Sequence, residues 1–116
     1  MPPIAECYAA GVTVCCGQDG IRDSWGPYGN GDMLERAFLT AYRFDWNTDE
    51  DFHRALDCAT GAAARAIGLA GYGLKAGGRA DFVVIEAANA GDALCRRPPD
   101  RVVVRRGAVV AGRLED

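Results

Sequence analysis

The chain is short of histidine: His53 is the only one among 116 residues. A catalytic zinc site takes about three protein ligands, often histidines, so this chain cannot assemble a histidine-rich metal site by itself. Asp49 and Asp57 lie four residues either side of His53, which predicts a helical His–Asp pair and a structural role. No C-x-x-C pair occurs. Cys7, Cys15, Cys16, Cys58 and Cys95 are odd in number and show no disulfide spacing, so most of them read as small buried thiols. No apolar run approaches the roughly 20 residues that span a bilayer. "MPPIAECYAA" lacks the basic and long apolar parts of a leader. The expectation is a cytoplasmic protein with no membrane partner. Excess positive charge is missing too: the balance is −3, which argues against a nucleic-acid partner. The one basic run, Arg101-Val-Val-Val-Arg105-Arg106, reads as a solvated strand face. There is no G-x-S-x-G and no Cys/His nucleophile pair, and "GYGLKAGG" has the spacing of neither a dinucleotide fingerprint nor a phosphate loop.

What is present is an order of elements in a chain of single-domain size. Pro2 and Pro3 suit a helix start, and a helix over 4–10 stops at Gly11. "VTVCC", residues 12–16, lies between glycines and reads as a strand buried on both faces, as in a parallel sheet. Residues 17–32 contain five glycines and a proline, which makes a long loop. Loops beyond about a dozen residues in compact domains are usually functional or disordered, and Trp25 and Tyr28 give this one something to pack. Asp32 with Glu35 has capping-box spacing before a helix over 33–44. Thr48 caps a second helix, with Asp49, Glu50 and Asp51 in its first turn, and Thr60 a third. After a glycine-rich junction around 68–79, Asp81 to Ala87 reads as a strand, and "RVVVRRGAVVAGRL" as a hairpin turning at Arg106-Gly107.

Asp19 is the main candidate for chemistry. A parallel strand ending in a glycine loop presents the next residues at the carboxyl edge of the sheet, where α/β-barrel active sites sit. A carboxylate there can ligate a metal and take a proton from water. The competing reading is an Asp-Gly turn in which Asp19 bonds its own backbone. Locally the two stay open. Trp25 is either a pocket wall or a loop anchor.

Taken in order, "AAGVTVCCGQDGIRDSWGPYGNGDMLERAF", "ATGAAARAIGLAGYGLKAGGRADFVVIEA" and "DRVVVRRGAVVAGRL" resemble the end of cytosine deaminase-like members of the amidohydrolase superfamily. The resemblance implies an α/β fold: the C-terminal fragment of a (β/α)8 TIM-type barrel, its last strand plus helices, followed by strands of a small β-sandwich. Residues 1–70 would end the barrel with its active-site loop, and 71–116 would supply the C-terminal β-rich part of the composite sandwich. It implies a metal-dependent hydrolase of C–N bonds other than peptide bonds, acting on cytosine or a related cyclic amidine or amide. Asp19 matches the metal-site acid/base and Trp25 a substrate-binding aromatic. The divalent metal, zinc or iron, belongs to the complete enzyme, with none held tightly by this chain alone. Two positions depart from the resemblance: Gln18 and Gly20 stand where those deaminases show His and Asp, which leaves cytosine itself in question as substrate. The histidines and the acidic substrate partner belong to an N-terminal half that this chain would need as a partner. Alone, an open barrel strand leaves unpaired edges, which implies an inactive fragment prone to self-association. The alternative is a truncated or split fragment acting only as a structural or interaction module.

Overall fold

The computed structural model describes residues 2–113. Four helices come before the first strand. α1 (Ile4–Ala9) is short, and α2 (Met33–Arg43) and α3 (Asp49–Ala59) form the main pair. α4 (Gly61–Ala66) follows directly on α3. β1 (Phe82–Ile85), β2 (Arg101–Arg105) and β3 (Ala108–Ala111) form one antiparallel sheet in the order β1-β2-β3, with α5 (Ala90–Arg96) between β1 and β2.

Capping explains where the helices begin. The Asp32 carboxylate accepts the Leu34 N–H at 3.0 Å. The box expected with Glu35 does not close, because Glu35 instead accepts from the Asn30 amide at 2.6 Å. At α3 the reciprocal box does form, between Thr48 and Asp51. Thr60 makes no side-chain cap, since its hydroxyl donates to the Leu56 carbonyl at 2.7 Å.

The core is built of small residues. Ala37 and Ala41 of α2 face Ala55 of α3, all nearly or fully buried, and alanines at a helix contact let the backbones approach closely. Leu34 and Leu94 fill the remaining space, with Phe38, Phe52, Leu56 and Ile85 packed around them. Leu94 lies in α5, so the core draws on residues before and after the glycine-rich junction. α5 is only seven residues long, too short for a clear helical period in the sequence. The cap is at Asn89, whose side chain accepts from the Asp92 N–H at 2.9 Å.

A second tie joins the two ends of the chain. Arg101 on β2 donates two hydrogen bonds to the Asp32 carboxylate, at 2.8 and 3.0 Å. The reading of the basic run as a solvated face therefore fails at Arg101, which is largely buried in a bidentate pair. The Arg101 bonds hold the Asp32 carboxyl below its usual range, helped by the Leu34 N–H and opposed by burial. A carboxyl depressed in the folded state gives stability that is complete above its unfolded value of about 3.9 and is lost as pH falls through the folded value. Arg101→Met should therefore shrink the loss of stability on acidification below about pH 4, read from denaturant midpoints across pH. An unchanged acid-side slope would show that the pair contributes nothing.

Other expectations need correction. His53 is exposed and forms no described pair with Asp57, whose carboxylate is taken by Arg65 at 2.7 Å. Of the cysteines only Cys58 is fully buried. Cys7 and Cys16 are half-buried, and Cys15 and Cys95 are exposed. Burial is the main cause that raises the Cys16 and Cys58 thiols. The Tyr8 hydroxyl lies 3.2 Å from Cys58 Sγ.

Candidate functional site

The run 12–16 belongs to no ladder among the described residues. A strand needs a neighbour to take up its N–H and C=O groups, and the described residues offer none beside it. Two backbone bonds tie it to the helices: the Val12 N–H donates to the Cys7 carbonyl at 2.9 Å, and the Cys16 N–H to the Cys58 carbonyl at 3.0 Å. Yet from Thr13 to Gly20 the residues alternate in the rhythm of a strand. Val14, Cys16, Gln18 and Gly20 are half-buried, while Thr13, Cys15, Gly17 and Asp19 are exposed. One face therefore lies on the helices and the other is bare. The strand expected to be buried on both faces is covered on one.

Asp19 ends this run on the bare face, at φ +59°. Aspartate tolerates this left-handed region better than most residues. Its carboxylate opens on a cavity of about 430 Å³ lined by Asp19, Gly20, Asp23, Trp25, Gly26 and Tyr28. The structure thus brings both predicted site residues, Asp19 and Trp25, to one cavity. No hydrogen bond ties the Asp19 carboxylate to the described residues, so the Asp-Gly turn in which it bonds its own backbone is not formed.

The loop that closes the cavity is pinched at its base. The Arg22 N–H donates to the Tyr28 carbonyl at 2.8 Å, and Asp23 bridges to Gly26. Gly29, at φ +92°, crosses so close to Gly20 that an added Cβ would collide with the Gly20 carbonyl oxygen. Asp23 Oδ1 accepts the Trp25 N–H at 2.9 Å. An added Cβ at Gly20 would strike the other Asp23 oxygen, so the absence of a side chain at position 20 leaves room for that carboxylate.

Trp25 is 96% exposed and Tyr28 82%. The aromatics therefore do not pack the loop, as the sequence suggested. Glycine crossings and backbone bonds order it, and the rings are left free.

Among the described residues no group of three or more His, Cys, Asp or Glu is placed to hold a metal. Asp19 fits a divalent ion as one oxygen donor of a larger set, being exposed and free of other bonds. No helix of the described residues is long and apolar enough to cross a membrane. Sequence reasoning missed Asp23 and Gly29 as parts of the site. Neither carries a local signal beyond the glycine richness of the loop.

Comparison with solved structures gives the class. The chain superposes with a TM-score of 0.91 and 48% identity on N-isopropylammelide isopropylaminohydrolase from Burkholderia multivorans ATCC 17616, covering 97% of this chain and 29% of that one. It also matches 5-methylcytosine deaminase from Klebsiella pneumoniae liganded with 5-fluorocytosine, at a TM-score of 0.82 and 32% identity, over 97% of this chain and 28% of that one. The fold is that of a segment of an amidohydrolase-type enzyme. The Amidohydrolase family model matches residues 1–114, and the chain belongs to that family. Among curated relatives it is 30% identical to N-isopropylammelide isopropyl amidohydrolase of Pseudomonas sp. (strain ADP), over 93% of this chain and 27% of that protein. The chain thus spans about a quarter of the length of this relative. The resemblance to a cytosine deaminase-like amidohydrolase fragment is shown by these matches.

Proposed function

We propose that this chain supplies one wall of the active site of a hydrolase that releases an amine from a cyclic amidine or amide. The remainder of the barrel would come from an amidohydrolase segment that these 116 residues do not contain. In this reading residues 1–70 close the barrel and 71–116 contribute to a small β-sandwich. The observation that carries it is the unbonded Asp19 carboxylate, set with Trp25 on one cavity at the end of a run with a strand's alternation.

Asp19 would accept a proton from the attacking water and return it to the departing nitrogen, as a positioned carboxylate does in general acid–base catalysis. A divalent ion, zinc or ferrous iron, would acidify that water when bound. Asp19 would lend it one oxygen, and the other ligands would come from the missing segment. Trp25 and Tyr28 would cover the heterocycle. The likeness of 48% to an N-isopropylammelide hydrolase, against 32% to a 5-methylcytosine deaminase, supports an alkylamino-substituted ring over cytosine. Gln18 and Gly20, which depart from the cytosine deaminase pattern, support the same choice.

The test is a chimera in which residues 2–113 replace the matching segment of the Burkholderia protein. Release of alkylamine from N-alkylamino triazines is the expected result. A chimera that folds and holds metal, yet releases amine from no heterocycle, would refute the reading and favour a purely structural fragment. Trp25→Ala in the chimera should raise KM by about tenfold or more, since stacking on an aromatic is worth roughly 1–3 kcal/mol. An unchanged KM would remove Trp25 from the pocket.

A further inference from the structure

Nothing on the Asp19 side chain fixes where its carboxylate points, so its aim must come from the residues on either side. Gly20 is held beneath Gly29 by the crossing described above. On the other side stands Gln18. Its Oε1 accepts from Arg36 Nε of α2 at 3.1 Å, a bond that spans 18 residues of sequence. Its Nε2 is buried and has no partner. It lies against Gly29, where an added Cβ would come within 2.8 Å of it. Gln18 thus sits where the end of the extended run, helix α2 and the returning arm of the loop meet. A buried donor without a partner costs about 1–3 kcal/mol, and such groups are few in native structures. A purely stabilising residue here would be apolar.

We propose that Gln18 is the positioning residue for Asp19: through Arg36 it fastens the run to α2, and it holds residue 19 in the left-handed conformation that turns the carboxylate into the cavity. The inference rests on the hydrolase reading for its catalytic consequence, but its geometric content stands apart from that reading. An amide at this position carries no titrating proton, so the aim of Asp19 does not change with the protonation of its neighbour.

Three substitutions test it. Gln18→Leu keeps the bulk and loses the bond to Arg36. Arg36→Met loses the same bond from the other side. Gln18→Glu keeps the acceptor and converts the bond to a charge-assisted one. In the full chain, amide hydrogen exchange over peptides covering 17–30 should quicken in Gln18→Leu and Arg36→Met and return to the unsubstituted rate in Gln18→Glu. Peptides from α3 and the sheet should not change. In the chimera, Gln18→Leu should lower kcat by about 10²-fold with KM unchanged, the scale of a misplaced reacting group, and Gln18→Glu should restore it. Unchanged loop exchange in Gln18→Leu would overturn the proposal, as would a Gln18→Glu chain no better than Gln18→Leu. If the unsubstituted chimera has no turnover, the hydrolase reading fails, and the exchange measurements still decide whether Gln18 positions residue 19.

Discussion

Asp19→Asn in the chimera is expected to lower kcat by about 10²–10⁴-fold, the usual worth of a positioned acid–base group. Metal content and KM for the heterocycle should change little. The argument is one of isolation. The carboxylate has no bond to another described residue, so the amide breaks no contact that holds the loop. Asparagine also tolerates the left-handed backbone at φ +59°, so the turn into Gly20 should survive. What the amide cannot do is accept a proton from water and give it up again. Asp23→Asn is the control. Asp23 Oδ1 accepts the Trp25 N–H, a bond that an amide oxygen can also accept, so the loop should keep its shape and kcat should fall far less. Equal losses in the two variants would mean that the cavity needs negative charge and no particular base. Near-normal turnover in Asp19→Asn, with metal retained, would remove Asp19 from the chemistry.

Much of this site could be read from the residues because its signals are local. Gly11 and Gly17 bracket an apolar run, and Asp19 follows at once. Asp32 and Thr48 announce their helices by capping chemistry, and Arg106-Gly107 turns the hairpin between β2 and β3 as expected. What could not be read depends on partners far apart in sequence. Arg101 looks like one member of a basic run until Asp32, 69 residues away, proves to be its acceptor. Asp57 has spacing suited to His53 but turns to Arg65, because a guanidinium offers a stronger, fixed fork. The run 12–16 has the composition of a buried strand and lacks a ladder, because composition records what a segment packs against in the finished structure. On the proposed reading, half of that environment belongs to a segment outside this chain. On the same reading Trp25 and Tyr28 are bare because the substrate and the missing segment would cover them.

The largest effect on the fold itself should come from Leu94→Ala, at about 2–5 kcal/mol. Leu94 is 1% exposed and sits among Leu34, Ala37, Ala41 and Ala55. Three of these four neighbours are alanines. They have no side-chain freedom with which to fill a hole, and the helices they belong to are already in close contact. The cavity should therefore stay open, which puts the cost in the upper part of the range. For a domain of about 100 residues, each kcal/mol lost lowers the melting temperature by roughly 4–8 °C. Leu39→Ala on the outer side of α2 is the comparison. That leucine is 40% exposed and should cost only about 0.5 kcal/mol, as surface changes do. The consequence reaches the cavity, because α5, which joins β1 to β2 along the chain, packs on α3 and on the α2 that carries Arg36. With α5 loosened, Arg101 and Asp32 would be the principal remaining tie, and Arg101→Met added to Leu94→Ala should cost more than the sum of the two changes alone. Strict additivity would show that the sheet and the helices hold their places independently. The anchoring of the Asp19 loop would then rest on α2 and α3 without help from the sheet.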